Sequence, residues 1–144
     1  MKWKNEYSLG IQEIDDQHRL LLSSFSVIEE AIKLKQGWSN VHFSIIGLKE
    51  LARMHFTFEE ALMRLFAYPE AKEHRSDHEY FFVRLAEIEN NSLRNSTEGE
   101  LLEFLREWLT SHILHTDAGY ARYMLSGASV VRSPPPPLKQ VRPN

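Results

Sequence analysis

Cysteine is absent from the 144 residues of this chain, which excludes a disulfide scaffold, a thiolate metal site and a cysteine nucleophile. No apolar run approaches the roughly 20 residues that a membrane-spanning helix requires. The first residues, 1–7, lack the apolar region of a signal peptide. The formal net charge of -3 leaves no basic stripe for nucleic acid. We therefore expect a cytoplasmic protein that binds neither membranes nor nucleic acids.

Strand patterns and internal repeats are missing as well, whereas four segments carry apolar residues at helical spacing. We expect a single all-α domain, an up-down-up-down four-helix bundle with short connections. The first dozen residues are expected to form an ordered arm before it. The predicted helices run from an N-cap at Asp15 to Gly37, from Ser39 or Asn40 to Phe66, from Pro69 to the 90–92 stretch, and from a capping box at Thr97 to about Tyr123.

The C-terminal segment has a different composition from the rest of the chain. Four prolines follow Ser133, and such a run adopts extended polyproline II structure. The sequence therefore predicts a bundle over residues 1–127 and a disordered tail over residues 128–144. A protein partner with an aromatic groove is a second possibility for this tail.

Two histidine motifs stand out in the second and third predicted helices. His55-x-x-x-Glu59 and His74-x-x-x-His78 each place two side chains one turn apart on the same helix face. Imidazole and carboxylate are ligands of first-row transition metals. Burying several imidazoles in one core is costly unless each has a partner, and a metal cluster would satisfy them together. Every predicted helix contributes to this set, with His18, His55, His74 and His78, and His112 on the four apolar faces.

Helical geometry separates two adjacent glutamates in the second helix. Glu59 returns to within about 40° of His55 around the helix axis, whereas Glu60 lies about 140° away. We therefore expect Glu59 to be a ligand and Glu60 to be solvated.

In the fourth predicted helix, spacing does not decide which residue joins His112 as a ligand. Asp117 follows His112 by five residues, which is the wrong face of a regular α-helix. Either Asp117 is a surface residue or a π-bulge brings it onto the face of His112. His115, three residues after His112, is a rival ligand, and spacing alone does not choose between the two.

The sequence resembles the hemerythrins, specifically the bacterial hemerythrin type, over about residues 3 to 123. The matching motifs are Trp3, Ser8-x-Gly10, Ile14-Asp15-x-Gln17-His18, His55-Phe56-x-x-Glu59-Glu60, Tyr68-Pro69, His74-x-x-x-His78, and Trp108-Leu109-x-x-His112-Ile113-x-x-x-Asp117-x-x-Tyr120. This resemblance implies a non-haem di-iron site, with an oxo or hydroxo bridge. It implies seven ligands: His18, His55, Glu59, His74, His78, His112 and Asp117.

The resemblance also distributes these ligands between the two irons. It implies that Glu59 and Asp117 bridge them, and it leaves His115 and His42 outside the site. One iron would then take three histidines, His74, His78 and His112, and the other only His18 and His55.

Counting ligands for two octahedral irons leaves a single position open, on the iron held by His18 and His55. The resemblance implies that dioxygen binds there. The set is rich in neutral imidazole, unlike the carboxylate-rich sites of di-iron oxidases in helix bundles. We therefore expect a carrier and not an enzyme. The expected walls of the oxygen pocket are Leu22, Phe56, Trp108, Leu109 and Tyr120, with Leu109 over the open position.

Two other functions suit the same ligand set. An oxygen or redox sensor would pass a change in the bundle to a partner. A di-iron redox enzyme would act on peroxide or nitric oxide, or serve in iron repair. Reversible dioxygen binding for transport, storage or local supply is the first expectation, because a sensor usually needs an attached output domain and the enzyme chemistry would need a wet pocket.

Overall fold

Helices make up nearly all of the computed structural model, which describes residues 1–92 and 97–131, with side chains up to Ser126. A short 3-10 turn at Asn5–Tyr7 belongs to the N-terminal arm. The helices are α1 (Gln12–Lys33), α2 (Trp38–Leu65), α3 (Ala71–Ser92) and α4 (Glu98–Ser111), and a π-helical turn (His112–Asp117) joins α4 to α5 (Ala118–Val131).

The segment from α4 through the π-helical turn to α5 acts as one long fourth helix. Helix α1 packs against α2 and α4, and α3 packs against the same two neighbours, so the four helices close into a bundle. The described ranges contain no strand. The predicted all-α four-helix bundle is confirmed. Within those ranges, no helix has the length and apolarity that crossing a membrane requires.

The core of the bundle is divided into a large and a small apolar cluster. The large one fills most of the interior and includes Phe25, Leu48 and Leu85. The small one consists of Ile14, Met63 and Tyr120. Along α1, the buried His18 stands between Ile14 of the small cluster and Leu22 of the large one. The buried polar residues therefore form a layer near one end of the bundle, with apolar packing on both sides.

Asp15 ties the N-terminal arm to α1, and the prediction that it caps the helix is wrong. Helix α1 begins three residues earlier, at Gln12, after an extended Ile11 that makes no side-chain cap. The Asp15 carboxylate accepts hydrogen bonds from Ser8 Oγ at 2.6 Å and from the Leu9 backbone N–H at 2.8 Å. A carboxylate can satisfy arm donors as readily as helix-end donors, and here the arm folds back over the first turn.

The N-caps of two other helices also differ from those predicted from the sequence. Helix α2 begins at Trp38, directly after Gly37 with φ of 87°, and not after Ser39 or Asn40. Thr97 precedes α4 as expected, but its side chain makes no capping hydrogen bond.

The last described helix continues past residue 127. The backbone of α5 continues to Val131, past residue 127, because one glycine costs a helix only about 1 kcal/mol. The polyproline segment falls in 132–144, outside the described residues, so the disordered tail and its partner stay predictions.

Replacing Asp15 tests the anchoring of the arm. We expect Asp15→Ala to lower the free energy of unfolding by about 1–3 kcal/mol, because two donors lose a buried charged acceptor. Urea denaturation measures this change. Asp16→Ala is the matched control, since Asp16 is an exposed neighbour, and its effect should stay within about 0.5 kcal/mol. Equal losses in the two variants would show that Asp15 does not anchor the arm.

Candidate metal centre

A π-helical turn over His112–Asp117 builds one wall of the site. In such a turn each backbone N–H bonds to the carbonyl five residues earlier, so positions five apart come onto one face. His112 Nε2 consequently lies 2.9 Å from Asp117 Oδ1. Of the two possibilities that spacing left open, the distorted helix is the one that occurs. His115, in the same turn, is exposed and points away.

The seven residues expected as ligands converge in the polar layer. Each is buried, with Glu59 and Asp117 fully inaccessible to solvent. Their ligand atoms form two overlapping groups in which all atoms lie within 4.8 Å of one another. Both groups contain Glu59 and Asp117. The three-histidine group adds His74, His78 and His112, and the two-histidine group adds His18 and His55.

The two carboxylates each divide their oxygens between the histidine groups. Asp117 Oδ1 lies 3.0 Å from His74 Nε2, and Asp117 Oδ2 lies 2.7 Å from His18 Nε2. Glu59 Oε2 lies 3.3 Å from His74 Nε2, and Glu59 Oε1 lies 3.5 Å from His55 Nε2. Each carboxylate thus faces both groups with a different oxygen.

Several polar atoms in this layer lack a hydrogen-bond partner among the described residues. Both carboxylate oxygens of Glu59, Asp117 Oδ1 and His74 Nε2 are in this state. Nitrogens also face one another, with His18 Nε2 3.2 Å from His55 Nε2 and His78 Nε2 3.2 Å from His112 Nε2. Buried polar atoms without partners are costly. Converging lone pairs of imidazole and carboxylate fit a pair of transition-metal ions.

When no metal is bound, mutual attraction keeps two carboxylates, Glu59 and Asp117, and two imidazoles, His74 and His112, charged. Burial and Asp117 act to raise the pKa of Glu59, but the surrounding histidines outweigh them and lower it to about 2. Burial lowers the pKa of His74 and His112, yet the two carboxylates raise them to about 9 and about 10 respectively. The pKa of Asp117 is held below its usual value, mainly by His112 against the effect of burial. Without metal, the protons on His74 and His112 therefore balance the negative charge of the two carboxylates.

Three of the five imidazoles donate their outer N–H to an acceptor side chain. His55 Nδ1 donates to Gln17 Oε1 at 2.7 Å. His78 Nδ1 donates to Glu60 Oε1 at 3.1 Å, and His112 Nδ1 donates to Asp77 Oδ2 at 2.5 Å. Such bonds fix the tautomer and leave Nε2 free for a metal. The acceptors differ in charge, because the three-histidine group has two carboxylates and the two-histidine group has a neutral amide.

Two of the outer acceptors, Glu60 and Asp77, are residues whose role the sequence did not predict. Glu60 is only partly exposed and bonds to His78, so its prediction as a solvated residue is wrong. The reason is that a long side chain can reach a neighbouring helix from the edge of its own buried face. Asp77 was missed altogether. Its position directly before His78 put it off the apolar stripe, and its partner His112 lies on another helix.

Aromatic rings cover the three-histidine group. Phe56 stacks on His78 with ring centroids 3.8 Å apart and planes inclined by 5°. Trp108 stacks on His112 at 4.3 Å and 13°. Tyr120 meets the edge of His74 at 5.8 Å.

These contacts bear on the expected oxygen pocket, whose five walls do not all face the same histidine group. Phe56, Trp108 and Tyr120 lie against the three-histidine group, although Phe56 also approaches His55 at 5.8 Å. Leu22 and Leu109 are buried in the large apolar cluster. Spacing shows which residues point inwards, but it does not show which histidines they meet. The pocket itself stays a prediction.

The pKa values of His74 and His112 predict a coupling between metal binding and proton release. With values of about 9 and about 10, both imidazoles hold a proton at pH 7 in the metal-free protein. Metal must displace these protons, so we expect release of about two protons at pH 7 and an affinity that rises with pH until the two values are passed. Calorimetry in buffers of different ionisation enthalpy measures the release.

The matched control for that experiment is His42→Gln, because His42 is an exposed histidine paired with Glu89 away from the site. Its proton release should equal that of the unmodified protein. Metal binding without proton release near pH 7 would contradict the assigned protonation.

Removing the Asp77 carboxylate tests its support of His112. We expect Asp77→Asn to weaken metal binding by about 10–100-fold, because the amide holds the imidazole less firmly and makes it a weaker base. Competition with a chelator measures the affinity. Glu79→Gln removes a nearby exposed carboxylate from the same helix and is the control. Equal affinity in the two variants would refute a role for Asp77.

Comparison with known proteins agrees with this arrangement. The family described as "Hemerythrin HHE cation binding domain" matches residues 9–124. The chain is 32% identical over 121 residues to the bacteriohemerythrin of Pseudomonas paraeruginosa, across 82% of this chain and 77% of that protein. It is 28% identical over 124 residues to the bacteriohemerythrin of Clostridium acetobutylicum, across 82% and 96%. Hemerythrin subunit alpha of Lingula anatina is 25% identical over 118 residues, across 82% and 90%. The chain belongs to the hemerythrin family and is of the bacteriohemerythrin type.

Proposed function

We propose that this protein binds dioxygen reversibly at a non-haem di-iron centre, for oxygen transport, storage or local supply. The observation that carries the proposal is the division of the carboxylate oxygens. Glu59 and Asp117 each direct one oxygen to a group of three histidines and the other to a group of two. Two metal positions sharing two carboxylates account for this arrangement better than one.

The contacts favour one division of the ligands between the two positions. His74, His78 and His112 would hold one iron, His18 and His55 the other, and Glu59 and Asp117 would bridge them together with an oxo or hydroxo group. Two ferrous ions held in this way would supply the two electrons that dioxygen takes up when it binds reversibly. Because one group has an imidazole fewer than the other, the His18 and His55 side is where a small ligand can enter.

Exclusion of water by the bundle supports reversibility. Each of the seven ligands is buried, and apolar clusters close the layer on both sides. A dry site limits proton-assisted side reactions of a reduced oxygen ligand. Leu22 and Leu109 are the buried apolar residues proposed to line the oxygen pocket. Leu22 lies one helical turn after His18, and we propose Leu109 as the cover of the open position.

A redox enzyme is the second candidate, and it has one observation in its favour. A surface cleft of about 480 Å³ reaches His74, so small polar molecules can approach the three-histidine group. This cleft would suit chemistry on peroxide or nitric oxide, or iron repair.

A sensor is the third candidate. It would need a partner protein that responds to a change in the bundle. We propose a carrier and not an enzyme, because each of the seven ligands is buried. A cytoplasmic location remains part of the proposal.

Reconstitution with iron tests the function directly. We expect two irons per chain and a visible absorption band that appears when air is admitted to the reduced protein and fades when oxygen is removed. His112→Gln should lose iron, because it removes a buried ligand of the three-histidine group. His115→Gln should keep two irons and the reversible band, since His115 is an exposed histidine of the same π-helical turn. Metal analysis and anaerobic spectroscopy provide both readouts.

The alternative results point to different conclusions. Direct conversion to a stable oxidised form, without a reversible phase, would reject the carrier and leave a redox enzyme or sensor. Failure to bind iron would reject the metal centre itself.

A further inference from the structure

Three tyrosines form a contiguous cluster between the candidate metal centre and the surface. We call Tyr68, Tyr120 and Tyr123 the tyrosine cluster. Around Tyr68, the ring centroid of Tyr120 lies at 5.7 Å and that of Tyr123 at 5.1 Å. The ring of His74, a member of the three-histidine group, lies 5.8 Å from Tyr120 and 6.5 Å from Tyr68. Aromatic contacts thus run from a ligand histidine to Tyr68.

Only one hydroxyl of the tyrosine cluster bonds to a base within the described residues. Tyr68 O–H donates to Glu70 Oε2 at 3.0 Å. Tyr123 O–H donates at 2.7 Å to the backbone carbonyl of Phe66, which does not accept a proton at neutral pH. The fully buried Tyr120 O–H has no hydrogen-bond partner in the part of the chain that the structure describes. A carboxylate within hydrogen-bond reach is the geometry required for proton transfer.

Tyr68 also has access to solvent. Burial and Glu70 raise the pKa of Tyr68 to about 12, so its phenol is protonated at neutral pH. Tyr68 and Glu70 line the surface cleft that reaches His74, together with His115 and Arg122. A small reductant in this cleft can therefore come into contact with the Tyr68 ring, and Glu70 can exchange a proton with water.

The aromatic contacts on the other side of the three-histidine group lead into the core. Trp108 stacks on His112 and is 7% exposed, and its next ring is the buried Phe81 at 4.5 Å. Phe104 then follows at 6.1 Å, and the exposed Tyr80 lies 6.2 Å from Phe104. Two phenylalanines therefore separate Trp108 from Tyr80. Phenylalanine is far harder to oxidise than tyrosine, so this path is poorly suited to carry an electron to the surface. The tyrosine cluster is both the shorter and the more easily oxidised route.

We propose that Tyr68 is a one-electron relay between the metal centre and small reductants in the surface cleft. The proposal rests on the proposed function, because it needs a redox-active metal pair. After hydrogen peroxide has oxidised the centre by two electrons beyond the diferric state, the Tyr68 phenol gives one electron to the centre and its proton to Glu70 Oε2. A neutral phenoxyl radical and a protonated carboxyl remain. A small phenol or enediol in the cleft then returns one electron, and Glu70 returns the proton. A second cycle of the same kind uses the remaining oxidising equivalent and restores the diferric centre.

Electron paramagnetic resonance tests the relay on the full chain loaded with iron. The protein is mixed with hydrogen peroxide and frozen, and we expect a radical signal whose hyperfine splitting collapses when ring-deuterated tyrosine is incorporated. Tyr68→Phe should abolish the signal, and Tyr123→Phe should keep it. Glu70→Gln should lower the radical yield, because an amide cannot take the proton. Glu73→Gln, in the same cleft, is the matched control for that loss.

Iron content and the reversible absorption band are measured on the same samples. Failure of the relay can therefore be distinguished from failure of the proposed function. A tyrosyl signal that persists in Tyr68→Phe would overturn the relay and assign the radical to another tyrosine. A protein that shows the reversible band but forms no tyrosyl radical would also overturn it. A radical at Tyr68 without a reversible band would support the relay and reject the carrier. Loss of iron from the unmodified chain would reject both.

Discussion

Two fully buried carboxylates are the constraint on which the rest of this bundle depends. An isolated charge in a protein core is very costly, so Glu59 and Asp117 require positive partners from every direction. Those partners come from all four helical segments, with His18 from α1 and His74 from α3 among them. Apolar cores tolerate several packings of similar volume, whereas a polar network of this kind admits few. The polar layer therefore fixes how the helices are rotated and aligned.

The aromatic residues link the stability of the bundle to the shape of the site. Phe56 stacks on His78 and also meets Phe81 of the large apolar cluster at 5.7 Å. Trp108 likewise contacts both His112 and Phe81. The three-histidine group is thus held by stacking on one side and carboxylates on the other. The two-histidine group shares the carboxylates, but among the described residues its outer support is the neutral Gln17 amide and a tilted contact of His55 with Phe56. This uneven support suits a rigid position beside a more adaptable one.

Sequence alone predicted the parts of this structure that follow from regular spacing. The four helices and the inward direction of His18, His55 and Glu59 need only the 3.6-residue period. The place of Asp117 could not be derived in this way, because the π-helical turn breaks the period. Contacts between helices were also out of reach, as Asp77 shows. Its partner His112 is distant in sequence, so no local pattern connects them.

The π-helical turn also determines how the chain can change over evolution. It holds one residue more than a regular turn, and in an ordinary α-helix one added residue would rotate everything after it by about 100°. The wider turn absorbs that residue, so Tyr120 and Tyr123 still meet Tyr68. At its present length, the segment would turn both tyrosines and the carboxylate away together if it relaxed into an ordinary α-helix. A chain one codon shorter between His112 and Asp117 would bring the carboxylate onto the face of His112 without a π-helical turn, so the extra residue and the turn can only be gained or lost together.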